Sequence, residues 1–153
     1  MALKRVVVTG LGALTPIGNN LDEFWTGLIE GKSGAAPITY FDTEKFKTKF
    51  ACELKDFDIS LHLDRKQQRK MDRFTQYGMV STEEAIKDSG LDLEKIDKLR
   101  VGVIWGSGIG GIETFQNQML DHASGDGTPR FNPFFIPKMI ADITPGYISI
   151  NYG

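Results

Sequence analysis

Arg100-Val-Gly-Val-Ile-Trp-Gly-Ser-Gly-Ile-Gly-Gly111 is the stretch whose residue types and spacing point most directly to chemistry. An apolar, strand-like run ends in glycines at 106, 108, 110 and 111. Glycine allows backbone angles and close approaches that a Cβ forbids, so such a turn invites a ligand or a second segment to pack tightly against it. In an open α/β sheet, ligands sit in the crevice beyond the carboxyl ends of the strands. Gly106, Gly108 and Gly111 also satisfy G-x-G-x-x-G between a strand and a helix, the spacing of a dinucleotide fingerprint. That chemistry needs a second strand closing on an acidic residue about 20 residues on. Here the stretch holds Asp126, Gly127 and Pro129, which reads as loop. Gly10-Leu-Gly12 fails too, with Thr15 where the third glycine belongs. Gly31-Lys32-Ser33 imitates the end of a P-loop, yet Gly27 is one residue too close and the motif follows a helix instead of opening one.

The remaining reactive residue types are sparse. Cys52 is the only cysteine. On an alternating strand it reads as a small apolar core residue, with no adjacent basic residue or helix start to activate its thiol. His62 and His122 are isolated and read as surface residues, and no metal-ligand spacing is present. Arg65, Lys66, Arg69, Lys70 and Arg73 recur at spacings of three and four, which gathers most of them on one side of a helix. They form either a solvated face, partly neutralised by Asp64 and Asp72, or a docking patch for an acidic partner, because clustered charge steers and orients encounter. Phe134-Phe135, beside Pro133 and Pro137, reads as core. Two adjacent aromatics cannot face the same way, which leaves one for a cavity or an interface.

These groups depend on an alternation of strands and helices for their placement. Arg5-Val-Val-Val-Thr9 reads as a strand buried on both faces, closed by Gly10-Leu-Gly12. Asn20 and Glu23 have capping-box spacing, and Leu21, Phe24, Trp25, Leu28 and Ile29 form a broad apolar helical stripe that Gly31 ends. Phe46 to Leu54 alternates, with Phe46, Thr48, Phe50, Cys52 and Leu54 on the inward face of a half-exposed strand. One long helix is expected from about Asp64 to Asp88, ending at Gly90. Then follow a strand over Val101–Trp105, the glycine turn, a helix from about Ile112 to Leu120, and a loop at His122–Asn132. A last helix begins near Pro133 with Pro137 in its first turn, and Pro145 is expected to kink or end it. Ile148-Ser-Ile-Asn-Tyr-Gly153 is still apolar and patterned, so the fold is expected to continue past it.

Bulk properties set the outer bounds. A chain of 153 residues suits one domain or a portion of a larger one. At 41% hydrophobic and 25% charged it is neither disordered nor membranous, and a net charge of −2 makes no general case for nucleic acid. A single cysteine rules out an intrachain disulfide framework and suits a reducing compartment. The sequence shows no secretory apolar region and no apolar run long enough for a bilayer, so a cytoplasmic location without a membrane partner is expected.

Taken together, several segments resemble the amino-terminal part of the β-ketoacyl-acyl-carrier-protein synthases, type II more than type I. They are Arg5-Val-Val-Val-Thr-Gly-Leu-Gly-Ala-Leu-Thr-Pro-Ile-Gly-Asn19, Arg65-Lys-Gln-Gln-Arg-Lys-Met-Asp-Arg-Phe74, Gln76-Tyr-Gly78, Gly106-Ser-Gly-Ile-Gly-Gly111, Pro133-Phe-Phe-Ile-Pro137 and Tyr152-Gly153. They keep the family's order across nearly the whole chain. Ile109 in the glycine turn is similar to type II, where type I has a further glycine. The resemblance implies a thiolase-like α/β fold, of which this chain holds the amino-terminal half, in a homodimer. It implies a decarboxylating Claisen condensation. An acyl group passes from a carrier protein to a cysteine, malonyl-carrier protein loses CO₂, and the carbanion attacks the acyl thioester. Such chemistry needs an activated thiolate and donors for the thioester oxygen.

By the same resemblance, Ile109 lines and gates the acyl pocket and Phe135 closes it from the neighbouring subunit. Lys66, Arg69, Lys70 and Arg130 contact the acidic acyl carrier protein, and Phe131 stands where the family often has a second basic residue. No cofactor and no metal are implied. The family's nucleophilic cysteine lies just past a Tyr-Gly pair like Tyr152-Gly153, and its two histidines and lysine lie beyond that. Residues 1–153 are thus expected to hold no catalytic residue, Cys52 included, and to lack condensing activity alone. Two alternatives remain at this stage: a non-catalytic homologue such as a chain-length-factor partner subunit, and a nucleotide-binding α/β domain.

Overall fold

The computed structural model describes residues 3–153. They form two compact units, one gathering the residues up to Phe57 with Val80–Leu91, the other Asp58–Met79 with Asp92–Gly153.

In the first unit, helix α1 (Leu21–Ile29) starts where the capping residues place it. The Asn20 side chain accepts from Glu23 N at 2.9 Å, and Glu23 Oε2 accepts from Asn19 N at 2.8 Å, one residue earlier than a strict capping box. Its apolar stripe is not covered: Trp25 and Ile29 are exposed, and only Gly27 is buried. Strands β1 (Ala36–Pro37) and β2 (Phe50–Ala51) pair antiparallel, with Ala36 opposite Ala51 and Pro37 opposite Phe50. The half-exposed strand expected over Phe46–Leu54 therefore shrinks to a short ladder. Cys52 is exposed, not a core residue. Alternation fixes which residues share a face but not which face finds cover, and here Ala51 and Glu53 are the more buried neighbours.

Residues 5–9 belong to no ladder, and Val6, Val7 and Val8 are exposed. A doubly buried strand needs neighbours on both edges and cover on both faces, and neither is supplied by the described residues. Helix α3 (Arg73–Asp88) anchors the segment that follows. Its Asp88 Oδ2 accepts from Leu11 N at 2.8 Å, Glu84 Oε2 from Ala13 N at 2.8 Å, and Glu84 Oε1 from Leu21 N at 2.7 Å. Gly10 and Gly12 permit this approach, since a Cβ at Gly10 would lie 2.6 Å from Ser89 N and one at Gly12 2.9 Å from Ala85 N.

The second unit is helical. It contains α2 (Arg65–Lys70), the beginning of α3, α4 (Ile112–Ser124), α5 (Phe135–Met139) and α6 (Ile143–Tyr152), with single 3₁₀ turns at Ile59–Leu61 and Lys98–Arg100. Leu63, Met71, Met79 and Ile148 form its core, packed against Ile59, Val103, Tyr147 and Tyr152. Thr75 and Thr144 are fully buried and satisfy each other through hydroxyls 3.2 Å apart. The single helix expected over Asp64–Asp88 is two helices. Met71 is extended (φ −115°, ψ 141°), which sends its side chain into the core at 5% exposure. Helix α4 runs on to Ser124 and takes His122 with it. Pro145 does not end a helix; it sits in the first turn of α6, where its missing N–H is no loss. The expected strand over Val101–Trp105 also lacks a ladder, with Val103 on the core and Ile104 exposed. Among the described residues no helix is long and apolar enough to cross a membrane.

Candidate functional site

The basic helix owes its start to Asp64. Its Oδ1 accepts from Gln67 N at 2.7 Å, while Gln67 Oε1 accepts from Asp64 N at 3.0 Å. Asp64 is thus the cap of the basic helix. Arg65, Lys66 and Arg69 are left exposed. Lys70 differs from them. Its Nζ stands 5.6 Å from the centroid of the Phe134 ring, within reach of a cation–π attraction. Its carbonyl accepts from the Tyr147 hydroxyl at 3.3 Å, and burial pushes the Tyr147 phenol above its usual range.

Asp72, just past the other end of α2, has partners of its own. It is 9% exposed, its Oδ1 lies 3.4 Å from Phe74 N at the start of α3, and its Oδ2 accepts from the Thr114 hydroxyl in α4. The sequence carried one overlooked signal for it, an aspartate just before a helical run. The Thr114 partner, 42 residues away, had none.

The glycine corner has a fixed half and an open half. Gly111 N donates to Met139 O at 3.0 Å, and Gly110 N donates to Ser107 Oγ at 3.1 Å. Gly110 has φ +87°, and a Cβ there would meet Ala141 N at 3.0 Å. Gly106 and Gly108 face open space, and Ile109 is 72% exposed. The third glycine of the apparent dinucleotide fingerprint has its amide on protein backbone, packing the start of α4 against the end of α5.

Phe135 lies in an aromatic stack, its centroid 6.2 Å from Phe115 and 5.6 Å from Phe131, and Phe131 is 5.3 Å from His122. The adjacent aromatics do diverge, Phe134 toward Lys70 and Phe135 toward α4. The structure thus backs the corner carrying Ile109 onto the end of the helix carrying Phe135. Arg130 engages its own loop, its Nη2 3.0 Å from Asp126 Oδ2. The Thr128 amide and hydroxyl, and then Arg130, hold the Asp126 carboxyl below its ordinary value. A hollow of about 600 Å³ lies in the first unit, walled by Thr15–Asn19 and lined by Asp22, Glu23 and Lys32. Its mixed charge does not suit an alkyl chain.

Residues 3–153 match the model of the β-ketoacyl synthase N-terminal domain. The chain is 46% identical over 98% of its length to 3-oxoacyl-[acyl-carrier-protein] synthase 2 of Staphylococcus aureus, and 44% identical to the Synechocystis protein of the same name. It covers 36% of each, so it spans about a third of the curated relatives it matches. Among solved structures it is similar to a type II PKS ketosynthase in complex with its acyl-carrier protein, with TM-score 0.80 and 29% identity over 99% of this chain and 39% of that one. The ishigamide ketosynthase/chain length factor gives TM-score 0.80 at 28% identity, covering 99% of this chain and 38% of that one. A β-ketoacyl synthase from Burkholderia phymatum gives 0.77 at 28% identity, covering 98% and 37%.

Proposed function

The chain belongs to the β-ketoacyl synthase family through its amino-terminal domain and carries the corresponding part of a thiolase-like fold, and from that premise we propose that it contributes to a 3-oxoacyl-[acyl-carrier-protein] synthase of the type II class. The reaction is the decarboxylating condensation of an acyl thioester with malonyl-carrier protein, in the cytoplasm. The observation that carries this reading is the 46% identity to synthase 2 proteins across nearly the whole chain, against 28–29% to the three solved structures named above.

Within that reading, residues 3–153 recognise and do not react. Lys66, Arg69 and Lys70 on α2, with Arg130, receive the acidic carrier protein by charge complementarity. Ile109 lines the acyl pocket on a corner whose glycines keep the wall thin, and Phe135 closes the pocket of the neighbouring subunit in a homodimer. Each methylene of the acyl chain buried there adds about 0.8 kcal/mol.

Two measurements test it. Reading the gene beyond the Gly153 codon is expected to reveal a cysteine shortly after the Tyr152-Gly153 pair. Another residue there favours the second reading, a non-catalytic partner subunit, which the likeness to a ketosynthase/chain length factor supports. Titration with acyl carrier protein at low salt is expected to show weak, salt-sensitive binding that Lys66→Glu with Arg69→Glu lowers about tenfold. Binding indifferent to both charges would overturn the docking face.

A further inference from the structure

Asp72 has no role in the reading above, yet its surroundings are unusual. It is a carboxylate at 9% exposure in a unit whose core is aliphatic and aromatic. Buried carboxylates are costly unless paired or hydrogen-bonded. Asp72 meets this demand with the Thr114 hydroxyl and with the Phe74 amide at 3.4 Å. Thr114 lies in the first turn of α4, directly after the glycine corner. A Cβ on Gly111 would come 3.0 Å from Asp72 Oδ2, so the carboxylate also stands against the base of the corner.

We propose that Asp72 is a positioning residue for the corner that presents Ile109, acting through Thr114. The corner is pinned to protein backbone on its α4 side, and the Ser107 hydroxyl ties back to it by accepting from Gly110 N at 3.1 Å. Gly111 N to Met139 O, Ile112 N to Gly110 O and Phe115 N to Gly111 O, each 3.0 Å, fix residues 110–115, while a side chain at Gly106 or Gly108 would enter open space. The direction in which Ile109 projects therefore follows the angle at which α4 begins. Thr114 sets that angle against Asp72. Asp72 in turn follows Met71, the extended residue that closes the basic helix α2. One part-buried hydrogen bond thus joins the end of the basic helix to the base of the corner. That this corner gates an acyl chain rests on the function proposed above; the anchoring itself does not.

Amide hydrogen exchange on the full chain tests it, with Thr114→Val removing the hydroxyl and Thr114→Ser keeping it. In Thr114→Val the amides of Gly110, Gly111, Ile112 and Phe115 are expected to exchange about tenfold faster, as the loss of one hydrogen bond to a charged group implies. The unfolding midpoint and the slowest amides are expected to fall only by what that one hydrogen bond is worth, the amides of α6 that exchange by local fraying to keep the parent's rates, and Thr114→Ser to behave as the parent. In an Asp72→Ala background Thr114→Val is expected to add nothing further. If that background does not fold, the Val and Ser pair decides alone. Unchanged corner exchange, or the same acceleration in locally fraying amides throughout the unit, overturns the proposal. Adding acyl carrier protein separates the two claims: a chain that fails to bind it sinks the functional reading while the corner result stands.

Discussion

At the scale of single residues, carboxylates do much of the structural work in this chain, and they do it by accepting backbone amides. Glu84 is the clearest case, with one oxygen on Ala13 N and the other on Leu21 N. It ties residue 13 and the first amide of α1 to the same helix α3. Glu84→Ala is expected to lower stability by about 2 kcal/mol in urea denaturation, with Glu84→Gln in between because an amide keeps one acceptor. Tyr147 gives a pH-dependent counterpart. Its phenol is raised by burial above its ordinary value of 10.0. The folded state then holds the proton more tightly than the unfolded one, so the contribution is complete below pH 10 and fades as pH climbs through the folded value. Ultraviolet titration is expected to place the phenolate midpoint above 10, and Tyr147→Phe to remove this part of the alkaline loss of stability.

At the scale of elements, the informative feature is the break between α2 and α3. The basic spacing of three and four runs across it as far as Arg73, so pattern alone reads one helix. What divides them is a competition in which Met71 gains burial and Asp72 gains a cap, against one interrupted turn of helix. Met71→Ala removes the first of these and is expected to cost about 2–5 kcal/mol by thermal or urea unfolding. A milder loss would mean that the turn is held by the Asp72 cap alone. Helix α5 shows the same logic on a smaller scale. Its Phe134-Phe135 pair splits between a cation and an aromatic stack, and each ring acquires a different partner because adjacent side chains leave a short helix in different directions.

At the scale of the whole molecule, the segments read as central strands are the ones without pairing. Val6 and Val8 in one unit and Ile104 in the other are almost fully exposed, at 89%, 79% and 99%. Exposed apolar segments with unpaired amides are association surfaces. The 153-residue chain is therefore expected to self-associate, seen as a sedimentation coefficient that rises with concentration, and Val7→Lys with Ile104→Lys to reduce it. A monomer at all concentrations would contradict this. Turnover of malonyl-carrier protein by residues 1–153 is expected to be nil, since Cys52 is an exposed residue beside a two-residue ladder and not at a helix start.

The sequence by itself determined the cap at Asn20, the existence of α1, α4 and the basic helix, the glycine corner, and the family. These are local signals: a capping side chain, a period of three and four, and a run of motifs in fixed order each act over a few residues. Tertiary structure alone decided that Cys52 faces outward, that the long helix breaks at Met71, and that Asp72 finds Thr114. It also decided that Gly111 turns its amide to Met139. Each of these depends on which distant surface arrives to bury a face or satisfy a polar atom. A periodic pattern states that a face is apolar, and only the packed neighbour decides whether that face is covered.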